Sequence, residues 1–157
     1  YIEPRDLVRI EGDWKEAGKT PSRSVMLHKA IYEKHPDINS VIIAHPPNIM
    51  AFAVTEEVFD SRTIPESYIM LRDIQKLPFG SSFMQPEMTA DAFSKRTPMA
   101  LVENDCVIVT GSSLLNAYDR LEVAEYSAKA IINAKDIGDI VTINKEQVRE
   151  IEVAFNM

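Results

Sequence analysis

His45 follows the apolar run SVIIA at 40–44 and is followed at once by Pro46 and Pro47. Sites gather at strand ends in layered α/β proteins, and imidazole is the commonest side-chain metal ligand. A polar residue that only marks where a strand leaves the core would sit in the same place, so both readings stand. The other two histidines read as structural. His28 lies mid-helix, and His35 ends a helix before Pro36, where positive charge suits the helix dipole. No His-x-His, His-x-x-x-His or Cys-x-x-Cys spacing occurs. Asp105 is a second candidate ligand, and equally a turn residue. Ser22 and Arg23 precede a helix, where a hydroxyl, a guanidinium and free N–H groups could hold an anion; a cap with a solvated arginine is the alternative. Glu66 follows Pro65 at a helix start, and a carboxylate there complements the dipole whether or not it moves protons. Cys106 lies inside an apolar strand and reads as core. The chain has no Gly-x-Ser-x-Gly and no P-loop, and its five glycines rule out a Gly-rich phosphate cradle.

The elements around these residues follow from periodicity and punctuation. Residues 6–11 read as a short strand and the polar stretch after them as a loop. A helix should begin near Thr20–Ser22 and stop before Pro36. Residues 41–44 form a short apolar strand, expected to be buried on both faces. Helices follow over 48–55 and from Pro65, then a short strand over 76–79 and a helix over 89–96. MALV at 99–102 and CVIV at 106–109 flank Glu103-Asn104-Asp105, which is hairpin chemistry. Ser112 or Ser113 should cap a long helix reaching about Lys135, with an apolar stripe of Leu114, Tyr118, Leu121, Ala124, Ala128 and Ile131. Gly138 should end it, a short strand or extended segment should cover 139–143, and a last amphipathic helix 145–153. Interleaved helices and strands with one tight hairpin predict an α/β fold. Its form is a three-layer α/β/α sandwich with a mixed or mainly antiparallel sheet.

The 157 residues suit a single domain, and the net charge of -7 argues against nucleic acid as the main partner. No apolar run of about 18 residues suggests a membrane span. One cysteine excludes an intrachain disulfide and fits a reducing cytoplasm. The chain opens on Tyr1, so the N-terminal part of the domain is expected to be missing.

Two stretches resemble the class II aldolase/adducin family, which includes L-fuculose-1-phosphate aldolases and L-ribulose-5-phosphate 4-epimerases. They are PSRSVMLHKAIYEKHPDINSVIIAHPPNIMAFAV from Pro21 and TPMALVENDCVIVTGSSLLNAYDRLEVAEYSAKA from Thr97. The resemblance implies sugar-phosphate chemistry in a homotetramer, with zinc held by three histidines and a glutamate moving the proton. Carried over position by position, it places the three zinc histidines at Ile43, His45 and Asp105, so two of the three are replaced. It places the catalytic glutamate at Ser24. It keeps the phosphate-binding serine as Ser22, with Arg23 beside it. Zinc is therefore the cofactor that the family implies and that these residues do not supply in the usual form. A small phosphorylated sugar is the implied ligand. Convergence of His45, Asp105 and Glu66 is the one arrangement that could rescue a metal site. The expectation is a family member with lost or altered zinc chemistry, or an inactive adducin-like module.

Overall fold

The computed structural model describes residues 2–157. Two apolar runs form the centre of the main sheet. β5 (Met99–Val102) and β6 (Val107–Gly111) pair antiparallel with Leu101 opposite Val107, and Asn104 takes a φ of 51° in the turn between them. Asn tolerates that left-handed conformation, so the hairpin forms where the sequence predicts it. β3 (Ser40–Ala44) adds antiparallel to β6, and β4 (Ile74–Leu77) adds parallel to β5. The order β3-β6-β5-β4 makes a mixed four-stranded sheet with β3 at one edge and β4 at the other.

The period of two along the strands divides the core. Met99, Leu101, Val107 and Val109 face one hydrophobic cluster, packed with α2 (Pro47–Ala53), α3 (Pro65–Leu71) and α6 (Leu114–Lys135). Ala100, Val102, Cys106 and Ile108 face the other, which takes Leu27, Ala30 and Ile31 of α1 (Val25–Lys34) and Ala90 of α5 (Pro86–Ala90). α4 (Ser81–Met84) packs on α5, completing three layers. α7 (Lys145–Ala154) lies against α3.

Several expectations shift. Residues 6–11 give only a two-residue strand β1 (Ile10–Glu11), hairpinned onto β2 (Trp14–Lys15) across Gly12, after a 3₁₀ turn at Pro4–Asp6. α1 begins at Val25, not at residues 20–22. The Ser22 and Ser24 hydroxyls bond each other at 2.9 Å, and Ser22 O accepts from Val25 N at 3.1 Å, so this stretch is a turn. The expected helix over 89–96 is cut to α5, because the Ser94 hydroxyl accepts from the N–H groups of Arg96 and Thr97 and turns the chain. β3 is an edge strand, so Ile42, Ile43 and Ala44 are half-buried and not enclosed. Residues 139–143 form no strand, although Ile143 N donates to Arg62 O. On α6 the buried face is Ala117, Val123, Ala124, Ala128 and Ile131, while Leu114 and Tyr118 are exposed. Tyr118 sits about 100° round the helix from Ala117, beyond the stripe that meets the sheet.

Candidate functional site

The end of the sheet where β3 finishes and β6 begins carries His45, Asp105 and Cys106. Ala44 pairs with Val107, so His45 and Cys106 leave the sheet together, with Asp105 one step further along the hairpin. His45 is exposed. Pro46 and Pro47 then turn the chain into α2. Neither proline has an N–H, so the first free donors of that helix are the backbone groups of Asn48 and Ile49. Both donate to the Glu125 carboxylate of α6, Ile49 N at 2.9 Å, and Asn48 Nδ2 adds a third donor at 2.7 Å. This clamp aims the segment that carries His45. Sequence reasoning missed Glu125, and a bare Pro-Pro helix start was the one signal that a carboxylate should be supplied from elsewhere.

Ile43 lies two residues before His45, inside β3, whereas His45 is the first residue beyond the strand. Ile43 packs on the cluster formed with α1. Asp105 is half-buried and accepts a short hydrogen bond from the Ser82 hydroxyl, with the Cys106 thiol 3.6 Å away. Burial first, then the Asp105 charge, push the Cys106 thiol up to about 12, so it stands protonated. Glu66 is not with them. It is exposed and accepts from the Tyr126 hydroxyl at 2.5 Å, between α3 and α6. Partial burial and then that bond push Tyr126 up to about 12. Among the described residues no three His, Cys, Asp or Glu side chains are grouped to hold a metal ion. The rescue arrangement of His45, Asp105 and Glu66 is therefore not formed.

Beside the α1 end a cavity of about 980 Å³ opens, lined by Ser22, Ser24, His28, Lys29, Tyr32 and Val41 among others. Ser22 and Ser24 offer it a pair of hydroxyls, while Arg23 is exposed and does not line it. Burial holds the His28 imidazole below its ordinary range, which keeps it neutral near pH 7. Asp6 and Glu33 also line the cavity, so its rim carries both signs of charge.

Residues 1–132 match the family described as Class II Aldolase and Adducin N-terminal domain. The chain belongs to that family. It is 27% identical over 135 residues to a 3-oxo-tetronate 4-phosphate decarboxylase of Haemophilus influenzae, covering 82% of this chain and 63% of the relative. It is 28% identical over 131 residues to an L-fuculose phosphate aldolase of Methanocaldococcus jannaschii, covering 82% and 70%. The fold superposes on YgbL of Escherichia coli with a TM-score of 0.83 at 20% identity, over 96% of this chain and 75% of that one. This class II aldolase domain thus spans under two thirds of the decarboxylase's length. Zinc of the family's kind does not fit the donors here. Ile43, half-buried against the α1 cluster, offers no donor, Asp105 is held by Ser82, and His45 is a lone imidazole. Among the described residues no helix is long and apolar enough to cross a membrane.

Proposed function

We propose that this chain is a class II aldolase-fold protein that binds a small phosphorylated sugar or sugar acid without the family's zinc-dependent carbon–carbon cleavage. The packing of Ile43 carries the reading. At the position of the first family ligand stands an aliphatic side chain that helps to close the α1 face of the core. Ser24, at the family's glutamate position, is bonded to Ser22, and a serine is no base near neutral pH without an activator. Loss of a positioned proton carrier costs a factor of about 100 to 10,000 in rate, before the loss of the Lewis acid is counted. Ser22 and Ser24 in the 980 Å³ cavity provide the phosphate-side donors of this reading, and Arg23 would have to swing inward to join them. Oligomerisation through the exposed first turn of α6, where Leu114, Leu115 and Tyr118 face solvent, fits the family's sugar-phosphate enzymes. The domain is read as one unit over 1–157.

The test pairs metal analysis with an assay. Protein purified without chelator should hold well under one ion per chain and should not cleave L-fuculose 1-phosphate. The triple variant Ile43→His, Asp105→His, Ser24→Glu should gain zinc. A stoichiometric ion that His45→Ala removes, together with cleavage, would overturn the reading.

A further inference from the structure

The opposite end of the sheet holds a second cluster that the family positions do not touch. β6 runs from Val107, opposite Ala44, to Gly111, opposite Ser40, so its far end is about 15 Å from His45. There a cavity of about 430 Å³ lies against α6, lined by Arg72, Lys95 and Arg120, with Asp37 and Asn116. Three cations face one carboxylate in a chain whose net charge is -7. Among the described residues Arg72, Lys95 and Arg120 form no ion pair, whereas Arg62 and Arg96 nearby are both paired with aspartates.

Among the described residues, Arg120 is the one of the three with a buried side-chain donor left without an acceptor. One of its Nη atoms donates to Thr110 O at 2.6 Å, but its Nε–H is buried with no acceptor. A buried donor on a cation is costly unless something accepts from it. Burial, and then the charge of Arg72, hold the Arg120 guanidinium below its ordinary range, so the two arginines repel across the cavity. Arg72 ends α3 with a φ of 50°, fixed by its N–H donating to Tyr68 O and by the Ser61 hydroxyl donating to its carbonyl. Glycine or asparagine would take that conformation with less strain, so what arginine adds there is its guanidinium.

We propose that this cavity binds a phosphoryl group, as inorganic phosphate or the phosphate end of a small phosphomonoester, between Arg72, Arg120 and Lys95. Three cationic residues around one cavity suit a ligand with acceptors on several sides, which a tetrahedral dianion provides and a planar carboxylate does not. The volume leaves room for a few carbons beyond the phosphate. Asp37, exposed at the rim, lies where a ligand hydroxyl would meet it.

The test follows the arginine Nε–H resonances of the full chain by NMR during titration with inorganic phosphate at constant ionic strength. The Arg120 signal is the one that Arg120→Lys removes. It should shift saturably with phosphate and stay in place with acetate. Arg72→Gln should weaken binding about tenfold, the worth of a charge-assisted contact. Lys129→Gln, which removes an exposed cation outside the cavity, should leave it unchanged, so that the loss on Arg72→Gln is not one of overall charge. Should Arg120→Lys not fold, Arg72→Gln and Lys95→Gln carry the affinity comparison by calorimetry. The idea fails if the resonance is unmoved, if acetate moves it equally, if Arg72→Gln binds as tightly as the parent, or if Lys129→Gln weakens binding as much as Arg72→Gln.

Discussion

Cys106 and His28 show how burial alone sets the chemistry of a side chain. With its thiol pushed up to about 12 by burial and by Asp105, Cys106 is almost wholly protonated at pH 8. The thiolate is the reactive form, so native protein should be alkylated by iodoacetamide more than about 1,000-fold more slowly than the denatured chain. Mass spectrometry after timed exposure checks this, and rapid labelling of folded protein would show an ionised thiol. For His28 the folded value lies below the ordinary histidine value of about 6.5, with burial as the cause. In that window the unfolded chain binds more protons than the folded one. Stability should therefore be complete above about pH 6.5 and fall as pH drops through the window. His28→Gln should flatten that slope in urea melts at pH 5 to 7, while a slope unchanged by the substitution would place its origin elsewhere. Both residues were legible as structural from sequence, because an apolar strand and an amphipathic helix leave little room for a solvated charge. The repulsive pair Arg72 and Arg120 was not legible, because 48 residues separate them and no motif spaces arginines.

At the scale of elements, the long helix α6 does more than cover the sheet. Glu125 reaches from it to the start of α2, whose two prolines remove the usual cap donors, and takes three hydrogen bonds there. Hydrogen bonds to a charged group are each worth about 1.5–3 kcal/mol, less the cost of confining the carboxylate. Glu125→Ala should thus lower unfolding free energy by about 2 kcal/mol in urea titrations, with the slope of the transition unchanged. A change under about 0.5 kcal/mol would mean that water caps α2 equally well. Gly111, where β6 passes into α6, is set by space, not by dihedral angle. A Cβ there would lie 2.6 Å from Ala117 N and 2.9 Å from Ser113 O, both backbone atoms. Gly111→Ala should destabilise the protein by at least about 1 kcal/mol, because the helix start must retreat from the sheet. Sequence placed the hairpin, α6 and α7 within a few residues: Asn104 marks the turn, Ser113 caps α6 by accepting from Asn116 N, and amphipathic spacing alone marked α7, whose capping box of Asn144 with Gln147 is a finding of the structure. It overextended the helix at 89–96 and started α1 too early because serine hydroxyls bond locally in both places, and hydrophobic spacing is blind to that.

Across the whole molecule, two cores meet at one sheet and α7 stands apart from both. The alternation along β5 and β6 sends side chains into separate clusters, so it is these two strands, and not residues 41–44 as expected, that are buried on each face. Where His45 and Asp105 leave the sheet could be read from sequence, since the strand end and the hairpin fix it, whereas Glu66 lies on another element. Whether they would converge was beyond it, because that depends on Ser82 drawing Asp105 and on Tyr126 drawing Glu66. α7 has no buried residue, and it is tied to the body by Tyr68 donating to Glu152 at 2.8 Å and by Arg96 at 3.8 Å from the same carboxylate. Exposed ion pairs contribute about 0–1 kcal/mol, so these ties are weak beside the burial of a sheet. Hydrogen exchange should therefore divide the chain. The amides of β5 and β6 should exchange only on global unfolding, and those of α7 by local opening, faster by at least about 100-fold. Glu152→Gln should speed the α7 amides further and leave β5 and β6 unchanged. Exchange of α7 at the rate of the central strands would instead make it part of the same cooperative unit, held by contacts stronger than one carboxylate can explain.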